Sequence, residues 1–204
     1  SAVYSEEGIV QSSPASTNPA YTDDRPGPGT FRVCGRDDQQ GVVAGKYLVE
    51  NFADKKIAFV HDKTAYGQGI AEYFKRESEK LGIKILGFEG TEEKANFDSI
   101  LTPILASKPE TISFGGMFDQ AAVLFKQARQ KGYMGMFLSD DGFDSSDAAK
   151  IGGDILLQGA GTYFSTVAGP AAAYPGTAKF QGTSRPSSAP SPSPSPPSPT
   201  TARP

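Results

Sequence analysis

KKIAFVHDKTAYGQGIAEYFKRESEKLGIKILGFE, residues 55–89, decides the fold. A short apolar run at 57–60 ends in a polar turn. A segment of helical period follows at 66–81, with Ile70, Tyr73, Phe74 and Leu81 on one face, and Gly82 stops it. A second apolar run occupies 83–88. This is a β-α-β unit, and such units build parallel sheets that bind ligands at the carboxyl ends of their strands. The loop 61–66 is therefore the first place to look for function.

Working outward, the same alternation continues. Residues 31–34 form a short extended run, and 39–52 have helical periodicity through Val42, Val43, Tyr47, Leu48 and Phe52. Asn96 can cap a helix to about 107, with Pro103 straining it unless the helix begins later. A strand is expected at 111–114, a helix at 118–131 ended by Gly132, a strand at 136–138, a short helix at 145–151 and a last strand at 155–162. Residues 8–12 could form one strand, and 14–29 read as a loop. The fold class is α/β, a doubly wound, largely parallel sheet with helices on both faces.

The 204 residues suit one ordinary domain, or one and a fraction; 37% are apolar, 21% charged, and the net charge is −3. No basic excess points to nucleic acid, and no run of about 18 apolar residues could span a bilayer. A single cysteine, Cys34, and a single histidine, His61, exclude an internal disulfide and nearly exclude a Cys/His zinc site. The N-terminus SAVYSEEG has neither a basic region nor an apolar one, so it is not a signal peptide, and the chain is expected to start in mid-sequence. Residues 183–204, TSRPSSAPSPSPSPPSPTTARP, hold 8 of the 16 prolines and no acidic residue. They cannot bury a core and are expected to be disordered or polyproline-II-like. An inert linker or a shifted reading frame accounts for them better than a ligand for a proline-recognition domain.

The strand ends collect the chemistry. Asp62 and Tyr66 follow the strand at 57–61. Gly115-Gly116-Met117 follows 111–114, and Ser139-Asp140-Asp141-Gly142 follows 136–138. In a parallel sheet these loops open on one edge, where a carboxylate can hold an ammonium by charge-assisted hydrogen bonds. The alternative is that Asp-Asp-Gly is a turn and Gly-Gly only a tight strand exit. Catalysis is disfavoured. A Ser-His-Asp triad would have only His61 as its imidazole, and there is no G-x-S-x-G elbow. Gly67-Gln68-Gly69 begins like a dinucleotide fingerprint, but Glu72 stands where the third glycine should be. The phosphate loop G-x-x-x-x-G-K-[ST] is absent, and the acids at 140–147 do not have the spacing of an EF-hand. Neither a cofactor nor a metal is expected.

Five passages, in this order and spacing, resemble a known family. They are Ser13-Pro14-Ala15-Ser16-Thr17-Asn18-Pro19; Arg36-Asp37-Asp38-Gln39-Gln40-Gly41; Val60-His61-Asp62-Lys63-Thr64-Ala65-Tyr66-Gly67-Gln68-Gly69; Phe114-Gly115-Gly116 with the helix ending Gln127-Ala128-Arg129-Gln130-Lys131-Gly132; and Asp140-Asp141-Gly142. The chain resembles, over roughly 1–165, the type I periplasmic solute-binding proteins of branched-chain amino acid ABC transporters, the Leu/Ile/Val-binding type. The resemblance implies ligand capture without catalysis. A monomeric subunit would close by a hinge on leucine, isoleucine, valine or a related amino acid and deliver it to permease subunits. Location would be the periplasm, or the cell exterior as an anchored lipoprotein. By this resemblance Ala15, through its backbone, and Thr17 hold the carboxylate and amine. Tyr66 lies against the ligand, and Asp141 receives the α-ammonium where the family often has Glu. Met117 stands where branched-chain binders commonly have Tyr.

The resemblance also implies a domain plan. Residues 1–30 would be a remnant of lobe one, 31–37 a crossover, 38–165 lobe two, 166–182 an ill-defined segment and 183–204 the tail. A ligand-sensing domain of the same fold, in a receptor or an amide-responsive regulator, is the alternative. One lobe offers half of the ligand contacts, so calorimetry on the isolated chain should show weak leucine binding or none. Micromolar binding would overturn this expectation.

Overall fold

The computed structural model describes residues 2–52, 56–169, 171–177 and 179. The proline-rich segment 183–204 lies outside the described residues. The chain divides into two compact units, Ser1–Ala168 and Gly169–Pro204. In the second, a short 3-10 turn covers Ala171–Ala173, and the Gly169 N–H donates to the Tyr174 hydroxyl at 2.8 Å.

The first unit opens with a short helix, α1 (Ala2–Glu6), which the sequence pattern does not announce. β1 (Gln11–Ser13) and β2 (Thr30–Arg32) then pair in parallel as a separate two-stranded sheet. Between them lies α2 (Ala20–Asp23), within a stretch expected to be loop throughout. α3 (Asp37–Asn51) follows. Next come β3 (Lys56–His61), α4 (Ala65–Lys80) and β4 (Lys84–Gly90), the expected β-α-β unit. α5 (Asp98–Ala106), β5 (Thr111–Gly115), α6 (Phe118–Gln130), β6 (Met136–Ser139), α7 (Ser146–Gly152) and β7 (Thr162–Phe164) complete it.

The second sheet has the order β4-β3-β5-β6-β7, with every pairing parallel. Side chains alternate across it. Ala58, Val60, Ile112, Phe114 and Phe137 join the cluster under α5, α6 and α7, whereas Ile57, Phe59, Met136 and Leu138 join the one under α3 and α4. Both faces are thus covered, which is why these strands read as unbroken apolar runs. Phe125 of α6 anchors the first cluster, stacked on Phe137 with ring centroids 4.2 Å apart.

Two expectations shift. The strand at 155–162 is instead a 3-10 turn, Asp154–Leu157, and pairing starts only at Thr162. Gly153, Gly159 and Gly161 all have positive φ (69°, 60° and 84°), which breaks an extended run. Asn96 is not the cap: Phe97 holds that position without a side-chain cap bond, Asn96 Oδ1 accepts from the Asp98 N–H at 2.9 Å one residue further out, and the helix runs from Asp98 through Pro103 to Ala106. There Pro103 removes the bond that the Ser99 carbonyl would have accepted, and the helix continues past it.

The strand order places the topological switch between β3 and β5. Registry pairs His61 with Gly115, Phe114 with Ser139, and Ser139 with Phe164, so four strand ends come level at one edge. The first turn of α4 rests directly on that edge. A Cβ at Gly67 would collide with Asp62 Oδ1 and lie 2.5 Å from the Gly115 carbonyl, whereas one at Gly69 would meet nothing nearer than Asn18 Nδ2 at 3.5 Å. Gly67→Ala should therefore cost about 1–3 kcal/mol of stability in urea denaturation. Gly69→Ala, in the same helix, should be neutral or stabilise by about 0.5–1 kcal/mol.

Candidate functional site

Each loop at this edge is held by its own short-range chemistry. After β3, Asp62 Oδ1 accepts from the Thr64 N–H and hydroxyl at 2.9 and 2.6 Å, and Thr64 Oγ1 caps α4 by accepting from the Gly67 N–H at 2.9 Å. The Asp62 N–H donates to the Gly115 carbonyl at 3.1 Å, which joins this loop to the end of β5. After β5, Gly116 has φ 145°, and a Cβ there would lie 2.7 Å from Asp62 Oδ2, so both conformation and space require glycine. His61 is buried, its ring 5.0 Å from that of Phe88 and its Nδ1 accepting from the Lys63 N–H at 3.2 Å. Burial lowers its pKa, so it is a neutral core group.

The loop after β6 carries the acids. Asp140 is fully buried; its Oδ2 accepts from the Gly116 N–H at 3.0 Å and its Oδ1 from the Gly142 N–H at 2.9 Å. The Tyr66 hydroxyl reaches across from α4 to Asp141 Oδ1 at 2.8 Å and to Asp140 Oδ1 at 3.1 Å, and accepts from the Gly142 N–H at 3.0 Å. One phenolic hydrogen serves one acceptor at a time, and the shorter contact is to Asp141. Burial, with both carboxylates nearby, raises the pKa of Tyr66 and keeps it a neutral donor. Burial likewise raises that of Asp140 well above the carboxylate range, against the opposing N–H groups of Gly116 and Gly142.

From the other side, Gln40 of α3 donates through Nε2 to Asp141 Oδ1 at 2.7 Å and to Asp37 Oδ1 at 3.4 Å. Its Oε1 accepts from the hydroxyl of Ser165, just beyond β7. Asp37 is fully buried beside Thr17, and its N–H donates to the Thr17 carbonyl at 3.1 Å. The Thr17 hydroxyl lies close enough to favour the Asp37 anion, yet Thr17 Oγ1 and Asp37 Oδ2 both lack a partner of hydrogen-bond geometry. Arg32 holds the segment carrying Thr17: its guanidinium donates to the carbonyls of Ser16, Thr17, Asn18 and Pro19 at 2.9–3.0 Å.

Of the five residues expected from sequence, Tyr66 and Asp141 are in direct contact. Thr17 joins them through Asp37 and Gln40. Met117 caps α6 on the same edge and is 47% exposed, an apolar surface open to solvent. Ala15 is exposed, its N–H bonded to Ser13 Oγ at 3.2 Å, and it is not part of this network. Sequence reasoning gave no site role to Asp37, Gln40 or Arg32, and named Asp140 only within the Ser139-Asp140-Asp141-Gly142 loop. The first two stand three apart in Arg36-Asp37-Asp38-Gln39-Gln40-Gly41, on one face of a helix start, and that spacing was the available signal. Among the described residues, no cluster of His, Cys, Asp or Glu could hold a metal, and no helix is long and apolar enough to cross a membrane.

The arrangement is a set of acid-bearing loops on the carboxyl edge of a doubly wound sheet, the edge at which such sheets bind ligands. Comparison with known proteins agrees. The family described as "Periplasmic binding protein" matches residues 1–196, and the chain belongs to it. An "Amino acid binding protein" of Pseudomonas aeruginosa is 45% identical over 154 residues, covering 75% of this chain and 41% of that protein. "Leu/Ile/Val-binding protein homolog 1" of Brucella abortus is 41% identical over 157 residues, covering 76% and 42%. The crystal structure of a leucine-binding protein, LivK, from Thermotoga maritima superposes with a TM-score of 0.78 at 28% identity, covering 87% of this chain and 50% of that one. The chain thus spans about two fifths of the length of the curated relatives it matches. These relatives are binding proteins, not enzymes.

The buried acids give a pH signature. Burial pushes Asp37 up from 3.8 to about 6. Between those values the folded chain holds a proton that the unfolded chain has released, so this group makes stability fall as pH rises through about 4 to 6. Asp140 acts in the same direction. Asp37→Asn should remove this negative contribution to the slope of urea-denaturation free energy across that range, leaving that of Asp140 and the opposing ones of His61, Asp23 and Asp38, whose pKa values are lowered.

Proposed function

We propose that the chain is part of the substrate-binding subunit of an ABC importer for branched-chain or other amino acids. In this reading 38–165 is lobe two, 31–37 a crossover and 1–30 a remnant of lobe one, with the ligand zwitterion clamped between two lobes by hinge closure. Asp141 receives the α-ammonium. Tyr66 and Met117 line the side-chain space, and Ala15 and Thr17 serve the carboxylate and amine from the other side. The subunit works as a monomer, in the periplasm or outside the cell on a lipid anchor, and hands its ligand to permease subunits.

One observation carries this reading. Asp141 stands at the sheet edge with Oδ1 occupied by Tyr66 and Gln40, while among the described residues Oδ2 has no bond. A carboxylate oriented by two donors and open on its second oxygen suits an ammonium. The names of the Pseudomonas and Brucella relatives support the ligand class.

The test is calorimetry with leucine on the complete two-lobed protein that this reading requires. Asp141→Ala should weaken binding at least about tenfold, the loss of one charge-assisted contact. Unchanged affinity would remove Asp141 from the role given to it.

A further inference from the structure

We infer that Gln40 is a positioning residue for ligand capture, setting the orientation of the Asp141 carboxylate from the α3 side. The inference rests on the amino-acid reading above and adds a residue to it.

The geometry is specific. Gln40 is 4% exposed, and both ends of its amide are engaged. Its Oε1 accepts from the Ser165 hydroxyl, and Nε2 faces acids, whose oxygens accept and so set the direction of the amide. Nε2 has two hydrogens: one points to Asp141 Oδ1 at 2.7 Å, the other to Asp37 Oδ1 at 3.4 Å. Reversing the amide would set Oε1 against two carboxylates. Tyr66 meets the same Asp141 oxygen from α4, so the carboxylate is held from two helices through Oδ1, and among the described residues its second oxygen has no bond. A flexible acid that rotated freely would have to be ordered on binding, and a held one avoids that loss.

The location adds to this. Gln40 lies in the first turn of α3, four residues past Arg36, whose guanidinium is tied to Asp23 and Asp38 at 2.7–3.0 Å. Ser165 lies just past β7. The Gln40 amide therefore links the start of α3 and the exit of β7 to the acid that follows β6.

The test uses four forms of the complete protein with leucine: wild type, Asp141→Asn, Gln40→Ala and Gln40→Glu. Gln40→Ala should weaken binding about tenfold. Gln40→Glu keeps the shape but sets an anion against Asp141, so its binding should be weak near neutral pH. It should recover toward the wild-type value as acid protonates the introduced carboxyl group and restores a donor. The titratable groups bonded to Gln40 are Asp37, on which Arg32 and Asp38 act, and Asp141, to which Tyr66 donates; the wild-type profile measured alongside accounts for their own titration. A merely structural role would not produce that recovery, and the recovery itself shows that the variant folds. A wild type that binds leucine, beside Gln40→Ala and Gln40→Glu variants of wild-type affinity at every pH, overturns the inference alone. No leucine binding by wild type overturns the amino-acid reading and the inference with it. Loss in Asp141→Asn without loss in either Gln40 variant likewise assigns orientation to Tyr66 and overturns it.

Discussion

The ligand edge depends on how closely the first turn of α4 lies against the end of β5. Gly67 and Gly115 meet backbone to backbone there, and a side-chain carbon on either would collide with its neighbour. That approach places Tyr66, one residue earlier, over the gap between β5 and β6. Its hydroxyl then reaches Asp140, Asp141 and the Gly142 N–H at 2.8–3.1 Å. A helix standing further off would leave the phenol short of the acids and the Asp141 carboxylate held from one side only.

The two ends of the sheet are built to different purposes. At the carboxyl edge, burial of Asp37 and Asp140 disfavours their charged forms, and the N–H groups of Gly116 and Gly142 offset only part of that cost for Asp140. At the opposite edge the buried charge is Arg129, 3% exposed, which lies 4.2 Å over the Phe137 ring. It donates to the carbonyls of Tyr133, Gly135 and Gly161. A cation that ties chain turns together stabilises the fold. Asp141, which follows β6 and has no bond to Oδ2 among the described residues, leaves an acceptor that a cationic group can meet.

Much of this was legible in sequence because it is local. The β-α-β unit at 55–89 announces itself by apolar period, and Gly82 and Gly132 mark helix ends by composition alone. Tyr66 and Asp141 were reachable because strand-end loops of a parallel sheet share an edge. What escaped has a common cause: it depends on contacts between segments far apart in the chain. Gln40 and Asp141 are 101 residues apart, and Gln40 and Ser165 are 125 apart. Arg32 in isolation is one more basic residue in a short strand; only folding sets it beside four carbonyls. The misplaced last strand has a different origin, because the apolar residues Ile155, Leu156 and Leu157 fit a tight turn as well as an extended run, and the flanking glycines decide between them.

The most direct measurement is a titration of the 15N-labelled chain with leucine at millimolar concentration, followed by amide chemical shifts. Weak binding at the carboxyl edge should move Gly116, Met117, Asp141 and Gly142 together, with the amides of Lys108, Lys131 and Gly135 at the opposite edge unmoved. Leucine-dependent shifts at the opposite edge, with Asp141 and Gly142 unmoved, would contradict a ligand edge built on Tyr66 and Asp141.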